Sequence, residues 1–311
     1  MTVSILDENY LAIAIIITVG YQLIFFIITY IVKFDKITDF GGSTNFILIA
    51  LTTFFLHQTY YTRQIIVTCL VCIWAIRLGL FLLIRILKWG EDNRFDNIRT
   101  NFFKLLGFYA FQILWVWVVS LPVTFINSSN KNPNIDGFDI AGICLWAIGV
   151  CIEAIADVQK LVYKQDPTNH NHWCDKGLWK YSRHPNYFGE MMVWWGVFLL
   201  AVPILFEAKW VAILSPLFLM FLLLFLSGIP PLEKSMEQRF GQREDFRLYK
   251  TQTSPLIVMP RIVYKNIPHI IKVIFLFEFP FYNKSSDNST PLTESNNNEH
   301  QKEEINNYGS A

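Results

Sequence analysis

An all-α fold, a polytopic bundle of about seven transmembrane helices, is predicted by three observations. The 311 residues are 53% hydrophobic and only 16% charged, with a mean hydropathy of +0.33, whereas a soluble domain carries about a quarter of its residues as charges. Apolar runs long enough to cross a hydrocarbon core of ~30 Å recur along the chain. Basic residues alternate between the connections that join those runs, as the orientation rule for membrane helices requires. The same composition excludes other classes. With 26 Lys and Arg against 25 Asp and Glu, there is no positive excess to hold a polyanion, so nucleic-acid binding is not expected. The 27 Phe, 13 Tyr and 10 Trp demand burial and exclude disorder for most of the chain.

The runs, in order, are residues 10–32, 46–60, 65–87, 108–126, 140–156, 188–206 and 210–229. Ahead of the first, Asp7 and Glu8 stand without any Lys or Arg, so the run reads as a retained span and not as a signal peptide. One alternate set of connections holds Lys33 and Lys36, then Lys88, Arg94, Arg99 and Lys104, then Lys160, Lys164, Lys176, Lys180 and Arg183. The other holds only Arg63, Lys131 and Lys209. That bias orients the N-terminus outside or in the lumen and the C-terminus in the cytosol. The second run is the weakest, being short and carrying His57 and Gln58.

Past the last run, residues 230–261 are charged and are expected to form one cytosolic helix entered through Pro230 and Pro231, since proline is tolerated at a helix start. Residues 262–282 mix Lys265, His269 and Lys272 into apolar sequence, the pattern of an interfacial amphipathic segment. The tail is Asn, Ser, Glu and Lys, too poor in apolar residues to order. The chain therefore divides into an N-terminal helix over 1–34, a membrane domain over 35–260, the amphipathic segment over 261–282 and a disordered tail over 283–311.

Chemistry concentrates between Glu153 and Gly196. On a continuous helix Glu153, Asp157, Lys160 and Lys164 recur at spacings of four, three and four, which puts them on one face. Such a stripe is either a solvated helix end with internal ion pairs or a site for an anionic, hydrogen-bonding ligand. The second block runs from Lys176 through Ser182-Arg-His-Pro-Asn-Tyr-Phe-Gly-Glu190 straight into a span. Juxtamembrane anchoring explains its basic and aromatic residues, but not Asn186 and Glu190, four apart on one helix face, nor Gly189, which permits close approach. An ionisable residue at the depth of Glu190 is a functional candidate. Arg77, deep in the third run, calls for an acid or a phosphate as partner, while Arg85 can snorkel.

Other features carry less. The five cysteines, Cys69, Cys72, Cys144, Cys151 and Cys174, are odd in number and mostly sit in apolar runs, as reduced core residues do. Cys69 and Cys72 are spaced Cys-x-x-Cys without a second ligand pair. His170, His172 and Cys174 would need a fourth ligand to hold zinc, and no metal is expected. Asp39, Asp92, Arg94 and Asp96 are either solvated or gate the site.

Ser182-Arg-His-Pro-Asn-Tyr-Phe-Gly-Glu190, preceded by Gly177-Leu-Trp and by Asp157 with its downstream lysines, resembles the C-terminal domain of the steroid 5α-reductase family. The resemblance extends to Trp74-Ala-Ile-Arg-Leu-Gly79, Gly90-Glu-Asp-Asn-Arg94 and Ser227-Gly-Ile-Pro-Pro-Leu-Glu233, and so covers roughly residues 35 to 260. It implies a membrane enzyme, in the endoplasmic reticulum by its substrate class, that binds NADPH from the cytosolic side. Its reaction would reduce a carbon–carbon double bond conjugated to a carbonyl in a lipid or steroid-like substrate. By the resemblance, Asp157 and Lys164, with Lys160 beside them, hold the adenosine and phosphate portions of the cofactor. Asn186 and Glu190 match positions near the nicotinamide. Arg183, His184 and Tyr187 match the related sterol-reductase signature. Tyr187 or protonated Glu190 is then the acid that meets the developing enolate. The glutamate that polarises the carbonyl in steroid 5α-reductases has no counterpart among residues 46–60. An alternative is a methyltransferase using S-adenosylmethionine, because isoprenylcysteine methyltransferases share an Arg-His-Pro-x-Tyr-x-Gly signature and a later glutamate pair, here Glu233 and Glu237.

Overall fold

A computed structural model describes residues 6–32, 38–89, 101–169 and 171–283. Twelve α-helices lie in chain order among them: α1 Leu11–Val32, α2 Thr38–His57, α3 Thr62–Trp89, α4 Phe102–Val119, α5 Leu121–Asn127, α6 Gly137–Gln165, α7 Pro185–Ala201, α8 Leu214–Phe221, α9 Ile229–Phe240, α10 Glu244–Gln252, α11 Arg261–Asn266 and α12 His269–Phe275. Among the described residues, seven helical stretches are long and apolar enough to cross a membrane, the last running from Glu207 to Phe240. The fold is that of a polytopic helical membrane protein, as the composition predicts. Among the described residues the only β pairing is a single bridge between Ser182 and Ser254.

Local chemistry fixes where the helices begin and end. The Asp7 carboxylate accepts from the backbone N–H groups of Asn9, Leu11 and Ala12 at 2.8, 3.0 and 2.6 Å, satisfying donors that the first turn of α1 leaves free. Asp136 and Asp139 form a reciprocal capping box at the start of α6. Pro185 opens α7 with no N–H to waste.

Three boundaries correct the sequence reading. The run at 108–126 is not one helix: α4 stops at Ser120, and α5 starts afresh with a proline in its first turn. A proline inside a helix removes one bond and clashes with the preceding turn. The fifth span extends well past 156, reaching Gln165, because its polar stripe packs against neighbours. The charged segment 230–261 is two helices, α9 and α10, parted where Gly241 N–H closes on the Glu237 carbonyl at 2.8 Å.

The core gathers around Phe46, Trp74 and Trp194, whose rings meet pairwise with centroids 5.1 to 5.4 Å apart. Next to it α6 and α7 cross with almost no space between them. A Cβ at Gly189 would fall 2.6 Å from the Gly149 carbonyl, and one at Gly149 would fall 2.7 Å from the Gly189 carbonyl, so side chains there would drive the helices apart. The outward faces expose Ile16, Leu23, Ile24, Ile148 and Ile155, as lipid-facing positions should.

One end of the bundle, the signature face, carries residues 176–190. The opposite face is closed by Arg63, which donates to both carboxylate oxygens of Asp139 at 2.8 and 2.7 Å with both side chains buried. Asn127 is also fully buried there, donating to the Ala50 carbonyl and the Thr53 hydroxyl at 3.1 and 3.0 Å. The Asn127-Ser-Ser129 glycosylation acceptor is therefore sealed inside the fold, whichever side that face occupies.

Candidate functional site

Two charged clusters meet on the signature face. The deeper one joins α3, α6 and α7. Arg77 of α3 pairs with Glu153 and, at 2.7 Å, with Asp157, and Trp74 donates its indole N–H to Glu153 at 3.1 Å. Glu153 and Asp157 are only 2% and 6% exposed, so the acid half of the stripe is not a solvated helix end, while Lys160 and Lys164 remain partly exposed. Glu190, half-buried one turn past the start of α7, lies within electrostatic reach of Arg77, Asp157 and Glu153. One guanidinium thus serves three carboxyl groups. Such a centre would be costly in lipid without mutual pairing.

Farther along α6 the charge changes sign. Lys160 lies within electrostatic reach of Asp157, Lys164, Arg85 and His184, with its ammonium 4.3 Å from the Trp179 ring centre. Lys164 donates to the His172 carbonyl at 3.0 Å. Trp179 is itself pinned by donating to the Ala156 carbonyl at 2.9 Å. Gly177 turns the chain back at φ +55, where a side chain would collide with Gln159. Several cations gathered at one place repel one another, and an anion relieves that repulsion.

The second cluster is built around the signature itself. Ser182 donates its hydroxyl to the Leu256 carbonyl at 2.6 Å, and Arg183 N–H donates to the Ser254 carbonyl at 2.8 Å. These bonds clamp the strand-like entry to α7. Arg183 is 5% exposed and meets Glu233 at 3.2 Å, Glu278 at 3.0 Å and the Lys250 carbonyl at 3.2 Å. His184 Nε2 meets Glu233 at 2.8 Å, and its ring stacks on Tyr187. Lys250 completes the set by binding Glu237 at 2.8 Å. Burial pulls the Arg183 pKa down, but Glu233 and Glu278 outweigh it and hold the guanidinium charged. Burial pushes the His184 imidazole below its ordinary value, against the opposing pull of Glu233.

The sequence-derived residues fall into three groups. Asp157, Lys160, Lys164 and Glu190 belong to the deeper cluster and its cationic margin, and Asn186 stands one turn before Glu190 on α7. Asn186 keeps a buried side-chain oxygen that no donor reaches. Arg183, His184 and Tyr187 belong to the outer cluster, joined to the first through Lys160. Asp92, Arg94, Asp96 and His170 lie outside the described residues, as do the 90–94 motif and the tail from 284 onward. No metal-binding group of His, Cys, Asp and Glu occurs among the described residues. Sequence reasoning missed Glu278, although it is the one acid in a segment otherwise apolar and basic. It reaches Arg183 because residues 261–282 fold back over the signature, fastened where Tyr264 donates to Glu278 and Tyr282 donates to the Leu224 carbonyl at 2.7 Å.

Fold and site together define a multi-pass helical membrane protein with a buried, charge-lined centre at one face of the bundle. The chain belongs to the family described as Protein of unknown function (DUF1295), whose profile matches residues 25–253. No curated protein and no solved structure matches it.

Proposed function

We propose that the protein is an NADPH-dependent membrane reductase of a conjugated carbon–carbon double bond in a lipid or steroid-like substrate, related to the steroid 5α-reductases and working in the endoplasmic reticulum membrane. One observation carries the reading. A run of cations, Lys160, Lys164 and Arg85, adjoins a buried acid cluster, and an unpartnered Asn186 oxygen lies one helical turn before Glu190 on α7. Those groups suit the parts of a dinucleotide: lysines for phosphates, the Arg77-held Asp157 for a ribose hydroxyl, and the Asn186 oxygen for a carboxamide N–H. NADPH, when bound, would supply the hydride. The chain's own residues would do the rest. Arg77 holds Asp157 in place, the apolar surroundings of α6 and α7 exclude water, and Tyr187 or Glu190 delivers a proton to the substrate carbonyl oxygen.

A second reading rests on a different contact. Glu233 receives both Arg183 and His184, so the signature shared with isoprenylcysteine methyltransferases meets the first of its paired glutamates, which favours S-adenosylmethionine as the ligand. The α6 cations and Asn186 weigh toward the dinucleotide.

The reductase reading is tested by two variants assayed in membranes. Lys164→Glu replaces a charge-assisted bond, worth about 1.5–3 kcal/mol, with repulsion, so NADPH affinity falls by more than about tenfold. Glu190→Gln lowers turnover by roughly two orders of magnitude with cofactor affinity less affected. Folded variants that keep the parental rate and affinity would exclude the site.

A further inference from the structure

A second polar centre lies away from the signature face, at the junction of α1, α2 and α4. The buried stripe of α1 is Ala14, Thr18, Gln22, Phe26 and Thr29, continued by Tyr10 just ahead of the helix, and Gln22 sits near the middle of the span Leu11–Ile31. Contacts on either side of it bracket what stands opposite. Tyr21 bonds Thr44 at 2.8 Å and Tyr10 bonds His57 at 3.1 Å, so α2 runs antiparallel to α1 and Asn45 stands within about one turn of Gln22 in depth. Thr29 bonds Tyr109 at 2.8 Å and Trp117 donates to the Leu11 carbonyl at 3.1 Å, so α4 runs antiparallel to α1 and Gln112 lies between these two contacts, as Gln22 does. Gln112 in turn abuts Gly42, one turn before Asn45, and donates to the Thr38 carbonyl at 3.1 Å. On α2, Gly41 faces Phe25 of α1 and Gly42 faces α4. Asn45, one turn on from both, points between those two helices.

Three carboxamides therefore stand at similar depth on neighbouring helices inside an apolar bundle. Gln22 and Asn45 are fully buried and Gln112 is 6% exposed. Both polar atoms of Gln22, both of Asn45 and the Gln112 oxygen have no hydrogen-bond partner. In the interior of a bilayer no solvent repairs such a deficit, and amides retained there call for a partner of their own chemistry. The unmet groups include donors on two side chains and acceptors on three. A carbonyl or ether would leave the acceptors unpaired, and an ammonium would leave the donors unpaired. A hydroxyl satisfies both kinds at once.

We propose that Gln22, Asn45 and Gln112 bind the hydroxyl group of an otherwise apolar lipid that enters from the bilayer between α1, α2 and α4. The site does not rest on the reductase reading, because none of its residues belongs to the signature-face clusters and an alcohol needs no cofactor to bind.

The test compares the full chain with Gln22→Leu and Asn45→Leu in nanodiscs made from native membrane extract, using native mass spectrometry with fragmentation of retained lipid and thermal denaturation. Leu removes the amide at similar volume. The wild-type chain is expected to retain a hydroxyl-bearing lipid that both variants lose. In native lipid the variants should melt lower than wild type, and after delipidation in detergent they should melt higher, because unpaired amides no longer burden the core. NADPH titration of the same samples is unaffected, which separates this site from the cofactor reading. Absence of a retained lipid, retention of a lipid without a hydroxyl, or equal retention by wild type and variants would overturn the proposal. Variants that melt higher in both media would overturn it as well.

Discussion

Arg77 is the residue on which the deeper cluster depends. Its removal leaves Glu153 and Asp157 buried among apolar helices, and stranding buried charge costs about 3–5 kcal/mol. Arg77→Leu should therefore denature at distinctly lower temperature in detergent. Adding Glu153→Gln and Asp157→Asn should restore much of the loss, which measures the pairing and not the bulk of the side chain. His184 gives a pH signature of the outer cluster. Its imidazole is held below the ordinary value, so the unfolded chain takes up the proton first. The stability it contributes is complete above the unfolded value of about 6.5 and is lost as pH falls from there toward the folded value. Thermal melts between pH 7.5 and 5.5 should fall more steeply for wild type than for His184→Asn. Equal slopes would mean that His184 does not titrate against the fold.

At the scale of elements, the Gly149 and Gly189 contact is what lets α6 and α7 bring Asp157 and Glu190 to one centre. Gly189→Ala places a methyl 2.6 Å from a backbone carbonyl and 2.7 Å from the Glu153 nitrogen. Neither can move without shifting a helix, so the substitution should cost about 1–3 kcal/mol and weaken ligand binding with it. A melting temperature and affinity equal to wild type would refute the close crossing. The helices themselves were legible from hydropathy, because crossing a membrane demands long apolar runs whatever they pack against. The ends were less so: Pro122 splits the fourth run, and Gly241 splits the charged segment, both by local backbone chemistry within continuous composition. Spacing on α6 placed Glu153, Asp157, Lys160 and Lys164 on one face, yet whether that face met water depended on Arg77, 80 residues before Asp157. Glu278 and the Gln22–Asn45–Gln112 grouping were hidden for the same reason. Each is a lone polar residue in an apolar stretch, and only the register between distant helices reveals its neighbours.

The whole molecule places its charges unevenly. The opposite face is closed by the Arg63 and Asp139 pair and the buried Asn127, the bundle exposes aliphatic side chains around its girth, and the signature face gathers both charged clusters beneath a returning C-terminal segment. A ligand that is anionic at one end and apolar in its surroundings at the other suits that arrangement, and the two readings differ in which ligand it is. The decisive measurement is equilibrium titration of the purified, detergent-solubilised full chain with NADPH and, separately, with S-adenosylmethionine, following nicotinamide fluorescence and thermal shift. The reductase reading predicts saturable enhancement of nicotinamide fluorescence and a rise in melting temperature with NADPH, both weakened in Lys164→Glu. Stabilisation by S-adenosylmethionine alone, with no response to NADPH, would contradict it.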